Sequence, residues 1–311
     1  FFALISMGMN YFITAQGFPV LGMMTTLIGA VINIVLDPVF IFLFDMGVAG
    51  AAIATVIAQM SSCAFVLLTL RRKKMKVSLG LTKPELSTGM RIVKIGFSPF
   101  LILATDSIII IALNAVLQHY GGREYGDTLI TAATIVQSYM LLITSPMLGI
   151  TGGSQPLISY NYGANRPDRI RKTFFWVLAL CVCFTSVMFL ISRFVPQYFV
   201  YIFTDNKEYA QLAVWGIRAF TLMIVPLSFQ YVIVDGLTAL GMTKTSLSLS
   251  LFRKSMYFGA TCILPLFFTA QSAFYAEPVA DGVSACVSCI VFAFVYRKYL
   301  RGAGRLKDIR I

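Results

Sequence analysis

The sequence predicts an all-α polytopic membrane protein, and its composition and charge pattern carry that prediction. Of 311 residues, 58% are hydrophobic and 12% are charged, and the mean hydropathy is +0.81. Soluble domains carry about 25% charged residues, and their cores do not repeat uncharged runs of about 20 residues. The net charge of +12 lies between the apolar runs, which argues against a nucleic-acid-binding surface.

The apolar runs predict eight full membrane helices and, over residues 1–15, the end of another. The full runs are 20–44, 50–70, 92–118, 127–150, 173–194, 209–240, 245–268 and 279–296. A run of about 20 apolar residues is what a transmembrane helix requires. We therefore expect about nine helices in this chain.

Loops rich in lysine and arginine alternate along the chain with loops that contain few of them. They are dense in "RRKKMK" after residue 70, in "ANRPDRIRK" after residue 163, near 244–254 (Lys244, Arg253 and Lys254) and in the C-terminal tail. The loops 119–127, 195–208 and 269–278 carry only Arg123 and Lys207. The positive-inside rule places the basic loops and the C-terminus in the cytoplasm.

The string Thr-Ala-x-Gly ends two apolar runs, in "ITAQGFPV" and in "LTALGM". When Gly17 is aligned with Gly241, Pro38 and Pro265 follow in matching helices, and both copies end in basic residues. This order predicts a parallel repeat, which is common in transporters. Since far more chain precedes Gly241 than Gly17, we expect two six-helix bundles, the first incomplete, with this chain as the C-terminal part of a twelve-helix protein.

The repeat and the loops predict four parts. Residues 1–72 form a partial N-terminal lobe (helices four to six), and residues 73–90 form a cytoplasmic linker. Residues 91–300 form the C-terminal lobe (helices seven to twelve), and residues 301–311 form a basic cytoplasmic tail.

Carboxylates inside apolar runs are candidate functional groups, because charge in a bilayer is costly. Asn33 and Asp37 are four residues apart and share a helix face, and Pro38 frees the carbonyl of residue 34. Thr55 is expected at a matching depth in the next helix. These oxygen donors suit a proton or Na⁺; the alternative is a proline kink satisfied by local hydrogen bonds.

Five further polar residues are weaker candidates. Asp106, Asn114 and Gln137 are predicted to form one polar wall that contacts substrate or joins helices by hydrogen bonds. Asp235 lies near a cytoplasmic helix end, which suggests gating or an interfacial position. Glu277 opens the last helix, where it either complements the helix N-terminus or acts as an outer gate.

Other classes of protein find little support. There is no G-x-x-x-x-G-K-[ST] string for ATP and no clustered set of catalytic or metal-binding residues, so we expect neither an enzyme nor a cofactor. Cys286-x-x-Cys289 lies in an apolar run, where packing is the simpler interpretation.

The strings "GAVINIVLDPVFIF" and "GVAGAAIATVIAQ" resemble helices five and six of MATE (multidrug and toxin extrusion) transporters. "GITGGSQPLISYNYGANRPDRIRK" resembles the end of helix eight and the following loop, and "DGLTALGMTKTSL" resembles the junction of helices ten and eleven. The resemblance covers essentially the whole chain, as helices four to twelve, and is strongest to the bacterial DinF-like branch.

This resemblance implies secondary active export of amphipathic or cationic drugs against H⁺ or Na⁺, by a monomer in the bacterial inner membrane. Asn33, Asp37 and Thr55 match the branch's ion site on helices five and six, whereas its helix-one Asp has no counterpart in this chain. Another branch uses acidic residues on helices seven and ten; Asp106 fits that pattern and Asp235 is displaced from it.

Two alternatives remain at this point. One is a lipid-linked oligosaccharide flippase of a related fold, which needs a basic central cavity; the mid-membrane residues are interpreted as acidic or neutral apart from Arg218. The other is a non-functional truncated transporter.

Overall fold

The computed structural model describes residues 1–72, 75, 79–80 and 85–297. Every regular element in these ranges is helical. In order they are α1 (Phe2–Ala15), α2 (Pro19–Pro38), a π-helical turn (Val39–Leu43), α3 (Gly47–Leu70), α4 (Leu86–Gly163), α5 (Pro167–Phe194), α6 (Pro196–Val200), α7 (Lys207–Phe220), α8 (Ile224–Ala239), α9 (Thr243–Phe267), a 3-10 turn (Ala270–Tyr275) and α10 (Ala276–Val295). The predicted all-α class is confirmed.

The chain divides into two compact units, Phe1–Leu86 and Ser87–Ile311. The division falls within the predicted linker 73–90, although α4 already begins inside that segment. The predicted tail 301–311 lies outside the described residues.

In the first unit, α1, α2 and α3 pack against one another. A small core of Ile13, Val66, Leu70 and Met75 holds the end of α1 against the end of α3. A methyl group at Gly50 would lie 2.8 Å from the backbone carbonyl of Phe40. The small residues at the start of α3 therefore allow it to approach the π-helical turn closely.

In the second unit, α4 is interrupted at Gly122, whose backbone is not helical (φ 71°, ψ −171°). A methyl group at Gly121 would lie 2.8 Å from the Cα of Gly126, so the chain turns back on itself there. α4 thus contains two spans, Phe100–Gly122 and Tyr125–Gly163. The second continues past the predicted end at 150, because Gly152, Gly153 and Ser154 lower the hydropathy without breaking the helix.

Six helical spans of the described chain are long and apolar enough to cross a membrane. α7 and α8 together satisfy the same test but are bent by 53°. The prediction of one helix over 209–240 was wrong in this respect, because Pro226 lacks an N–H and clashes with the carbonyl four residues earlier. α1 is shorter than this test requires, and α9 is too polar to satisfy it. The nine expected helical segments are thus present in the described chain, but six pass the test as single helices and one passes as a bent pair.

The two Thr-Ala-x-Gly strings form the same turn. At the end of α1, Gly17 N–H donates to the Thr14 carbonyl (3.0 Å) and Phe18 N–H to the Ile13 carbonyl (3.3 Å). At the end of α8, the matching bonds run from Gly241 to Thr238 (3.0 Å) and from Met242 to Leu237 (2.9 Å). Gly17 and Gly241 both have positive φ, 89° and 80°, as this helix-ending motif requires.

Candidate functional site

The first unit brings together the three residues predicted to form an ion site. Asn33 Nδ2 donates to Asp37 Oδ1 (3.0 Å) and to Thr55 Oγ1 (3.4 Å). The Thr55 hydroxyl in turn donates to the Ala51 carbonyl (2.9 Å). One amide thus links α2 to α3 at the carboxylate.

Local backbone geometry sets this site apart from an ordinary helix. Pro38 closes α2, and the chain continues directly as the π-helical turn Val39–Leu43. A proline cannot donate to the carbonyl of residue 34, and the wider π turn alters the regular bonding next to Asp37. The amide nitrogen of Asn33, rather than its oxygen, faces Asp37. A cation that used the amide oxygen would need that amide to rotate.

A groove of about 270 Å³ runs beside these residues within the first unit. Its polar lining comes from Ser6, Thr26, Asn33, Thr55, Gln59 and Ser62. Asp37 and Asn33 are only partly buried, and Thr55 is exposed on the surface of this unit. The hydrogen-bonded trio is therefore accessible from the groove through Asn33 and Thr55.

The second unit contains a pocket of about 220 Å³ lined by two predicted carboxylates. Asp106 of α4 and Asp235 of α8 both face it, together with Gln230, Tyr231 and Lys254. Lys254 Nζ forms an ion pair with Asp106. The structure therefore places Asp235 at the same pocket as Asp106.

Asn114 and Gln137 are not among the residues lining this pocket. Asn114 is two helical turns beyond Asp106, about 12 Å along the axis, and both residues are partly buried elsewhere in α4. The wall beside Asp106 is built instead from α8 and α9.

The assignment of Arg253 and Lys254 to a basic cytoplasmic loop was wrong. Both lie in the middle of α9, and Arg253 is buried. Their partners are carboxylates far away in the sequence, so spacing alone gave no signal of the pairing. The sequence did offer one signal: the two residues lie eight and nine positions after the start of the apolar run 245–268, where an unpaired cation is costly.

Arg253 binds two acidic residues of α10. Its Nη2 donates to Glu277 Oε1 (2.8 Å), and its Nε donates to Asp281 Oδ1 (2.9 Å). All three side chains are buried. Glu277 is in the first turn of α10, as predicted for a residue that complements the helix N-terminus, but its side chain is directed to Arg253.

Comparison with known proteins identifies the family. The family model described as MatE matches residues 103–258, which is half of the chain. The chain belongs to the MATE family. This family comprises transporters, not enzymes, and the chain is a multi-pass membrane protein.

The curated relatives of this MATE chain include the multidrug export protein MepA of Staphylococcus aureus (strain MSSA476). The two are 24% identical over 298 residues, covering 93% of this chain and 63% of that relative. MepA of Staphylococcus saprophyticus is 27% identical over 222 residues, covering 70% of this chain and 47% of the relative. The chain thus spans at most 63% of the length of these relatives.

Solved structures share the MATE fold. A crystal structure of MATE in complex with MaL6 superposes with a TM-score of 0.85 at 20% identity, over 94% of this chain and 66% of that one. A MATE structure in the straight conformation gives 0.80 at 22% identity, over 90% and 63%.

Proposed function

We propose that the protein exports amphipathic or cationic organic compounds by antiport against H⁺ or Na⁺. Membership of the MATE family supports this, as do the relatives named multidrug export proteins. The observation that carries the ion-coupling part is the Asn33–Asp37–Thr55 cluster at the proline-broken end of α2. In this proposal Asp37 takes up the coupling ion, and its occupancy changes how α2 packs against α3.

We further propose that the second-unit pocket takes the cationic group of the drug. Asp106 and Asp235 line this pocket together with Arg253 and Lys254. Lys254 pairs with Asp106, and Arg253 pairs with Glu277 and Asp281 outside the pocket lining. Among the described residues Asp235 is therefore left without a basic partner, and an unmatched carboxylate attracts cations. The pocket volume of about 220 Å³ is below the roughly 300–1,000 Å³ of drug-sized pockets, so it holds only part of such a molecule.

The charged residues of this pocket also argue against the flippase alternative. The sequence argued against it because almost no cation was expected at mid-membrane, whereas the structure shows Arg253 and Lys254 lining the pocket. Each is already bound to carboxylates. Neither is therefore free for the diphosphate of a lipid-linked sugar.

We also propose that the protein is a monomer in a bacterial inner membrane, with its C-terminus in the cytoplasm.

Asp37→Asn tests the coupling role. The reading frame that encodes this chain is expressed in a bacterium lacking its own exporters, and extrusion of ethidium is followed by fluorescence under a pH or Na⁺ gradient. We expect Asp37→Asn to abolish gradient-driven extrusion at equal membrane abundance, because the amide cannot neutralise a cation. Asp168→Asn is the matched control, since Asp168 is an exposed residue of α5 paired with Arg171. Undiminished extrusion by Asp37→Asn rejects the proposed role of Asp37.

A further inference from the structure

The second unit holds a buried charge cluster that the proposed ion site does not involve. It consists of Arg253 on α9 with Glu277 and Asp281 on α10, and Asp281 is fully buried. The guanidinium also lies 5.8 Å from the centre of the Tyr231 ring. The cluster is therefore enclosed by three helices, α8, α9 and α10.

The charges in this cluster do not balance. Two carboxylates face one guanidinium, so one negative charge is uncompensated when both are ionised. Lys254 is the next residue on α9, but its Nζ is bound to Asp106. An unmatched buried charge is among the costliest features a protein can carry.

One carboxylate oxygen lacks a hydrogen bond. Oδ1 of Asp281 accepts from Arg253, whereas Oδ2 is buried and has no partner among the described residues. A buried carboxylate oxygen left in this way costs free energy. A proton on this carboxyl group removes the excess charge and so relieves the larger cost.

We propose that Glu277 and Asp281 together bind one exchangeable proton, held beside Arg253. Two carboxylates in close proximity to a single cation share one proton in this manner. The site lies in the second unit and is separate from Asn33, Asp37 and Thr55. It stands on the buried geometry alone and does not rest on the proposed function.

The other groups around Asp281 do not supply the missing charge. Those nearest in α8 and α9 are the phenols Tyr231 and Tyr257, with Lys254 and Asp235 beyond them. The charged residues of α7 are exposed; they are Lys207, Glu208 and Arg218. The 3-10 turn contributes no charged residue.

A proton fits the site better than a metal ion does. A metal cation needs a shell of several oxygen ligands, and the described residues contain no group of three or more metal-binding side chains. A proton needs one carboxyl oxygen and no additional space. The ligand class is therefore H⁺.

Infrared spectroscopy of the purified protein in lipid nanodiscs tests the proposal, because a protonated carboxyl group absorbs apart from a carboxylate. We expect a protonated-carboxyl band near neutral pH that disappears at high pH. Asp281→Asn loses that band. Glu277→Gln also loses it, because either substitution leaves one carboxylate matched by Arg253. Asp168→Asn, which alters an exposed carboxylate, retains it.

The test uses two variants so that the spectrum of Glu277→Gln alone can decide it if Asp281→Asn does not fold. A band of equal size in the wild type and in each folded variant overturns the proposal. Thermal unfolding adds a second readout. The folded state binds one proton more than the unfolded state near neutrality, so Tm is expected to fall as pH rises. The decrease of Tm with rising pH is expected to be smaller in Glu277→Gln than in the wild type. An equal decrease in the two proteins also counts against the shared proton.

Discussion

At the scale of single residues, three turns of this chain depend on one backbone conformation. Gly17, Gly241 and Asn165 end α1, α8 and α4 with positive φ. After α4, Asn165 N–H donates to the Tyr162 carbonyl (3.0 Å) and Arg166 N–H to the Asn161 carbonyl (2.9 Å). The same bonding pattern thus accepts glycine twice and asparagine once, as expected for the left-handed region.

Gly17→Val is expected to destabilise the protein by about 1–2 kcal/mol, the cost of a left-handed backbone for a residue with a Cβ. The space around Gly17 is open, so the cost comes from the backbone and not from a clash. Gly17→Asn is the control and is expected to lose less. Thermal unfolding in detergent measures both; equal losses for the two variants contradict the prediction.

At the scale of elements, α5 and α8 meet at a glycine. A methyl group at Gly236 would overlap the ring of Phe174. That ring is held from another side by Phe292 of α10, with ring centres 4.9 Å apart. The ring therefore cannot move away without disturbing a second contact.

Gly236→Ala is expected to cost about 1–3 kcal/mol, as overpacking of a filled core does. Gly259→Ala is the matched control: it lies in α9 with no neighbour within 4 Å, and alanine in an open helical position is neutral or stabilising. Unfolding temperatures of the two variants decide the matter. Adding Phe174→Leu to Gly236→Ala restores part of the loss, and equal stability of both glycine variants rules the clash out.

The sequence predicted the elements better than it predicted their partners. Hydropathy located the membrane helices, and the i, i+4 spacing of Asn33 and Asp37 placed them on one face. The bend between α7 and α8 was missed, although Pro226 was visible. The pairing of Arg253 with Asp281 joins positions 28 residues apart, and no helical periodicity links residues on different helices.

At the scale of the whole molecule, charge placement predicts the orientation of the chain. Because Arg253 and Lys254 lie within α9, Lys244 is left as the basic residue at the turn between α8 and α9. The turn after α4 still adjoins Arg166, Arg169, Arg171 and Lys172. The predicted orientation therefore rests on fewer basic residues than the sequence suggested, but these residues still predict the same orientation.

Reporter fusions check this orientation. Green fluorescent protein fused after Asn165 is expected to fluoresce, because that turn is predicted to be cytoplasmic. Alkaline phosphatase fused after Asp205 is expected to be active, because the segment between α6 and α7 is predicted to face outward. The reverse pattern at both positions shows the opposite orientation, and fluorescence at both positions rejects the predicted alternation.

The polar middle of α9 also bears on how the protein is made. Arg253 and Lys254 each cost about 2.5–3.5 kcal/mol at the centre of a helix entering the bilayer from the translocon. Asp106, the partner of Lys254, is synthesised earlier, whereas Glu277 and Asp281 emerge only with α10. We therefore expect α9 to remain at the translocon until α10 is synthesised, and the two helices to enter the lipid together as a hairpin.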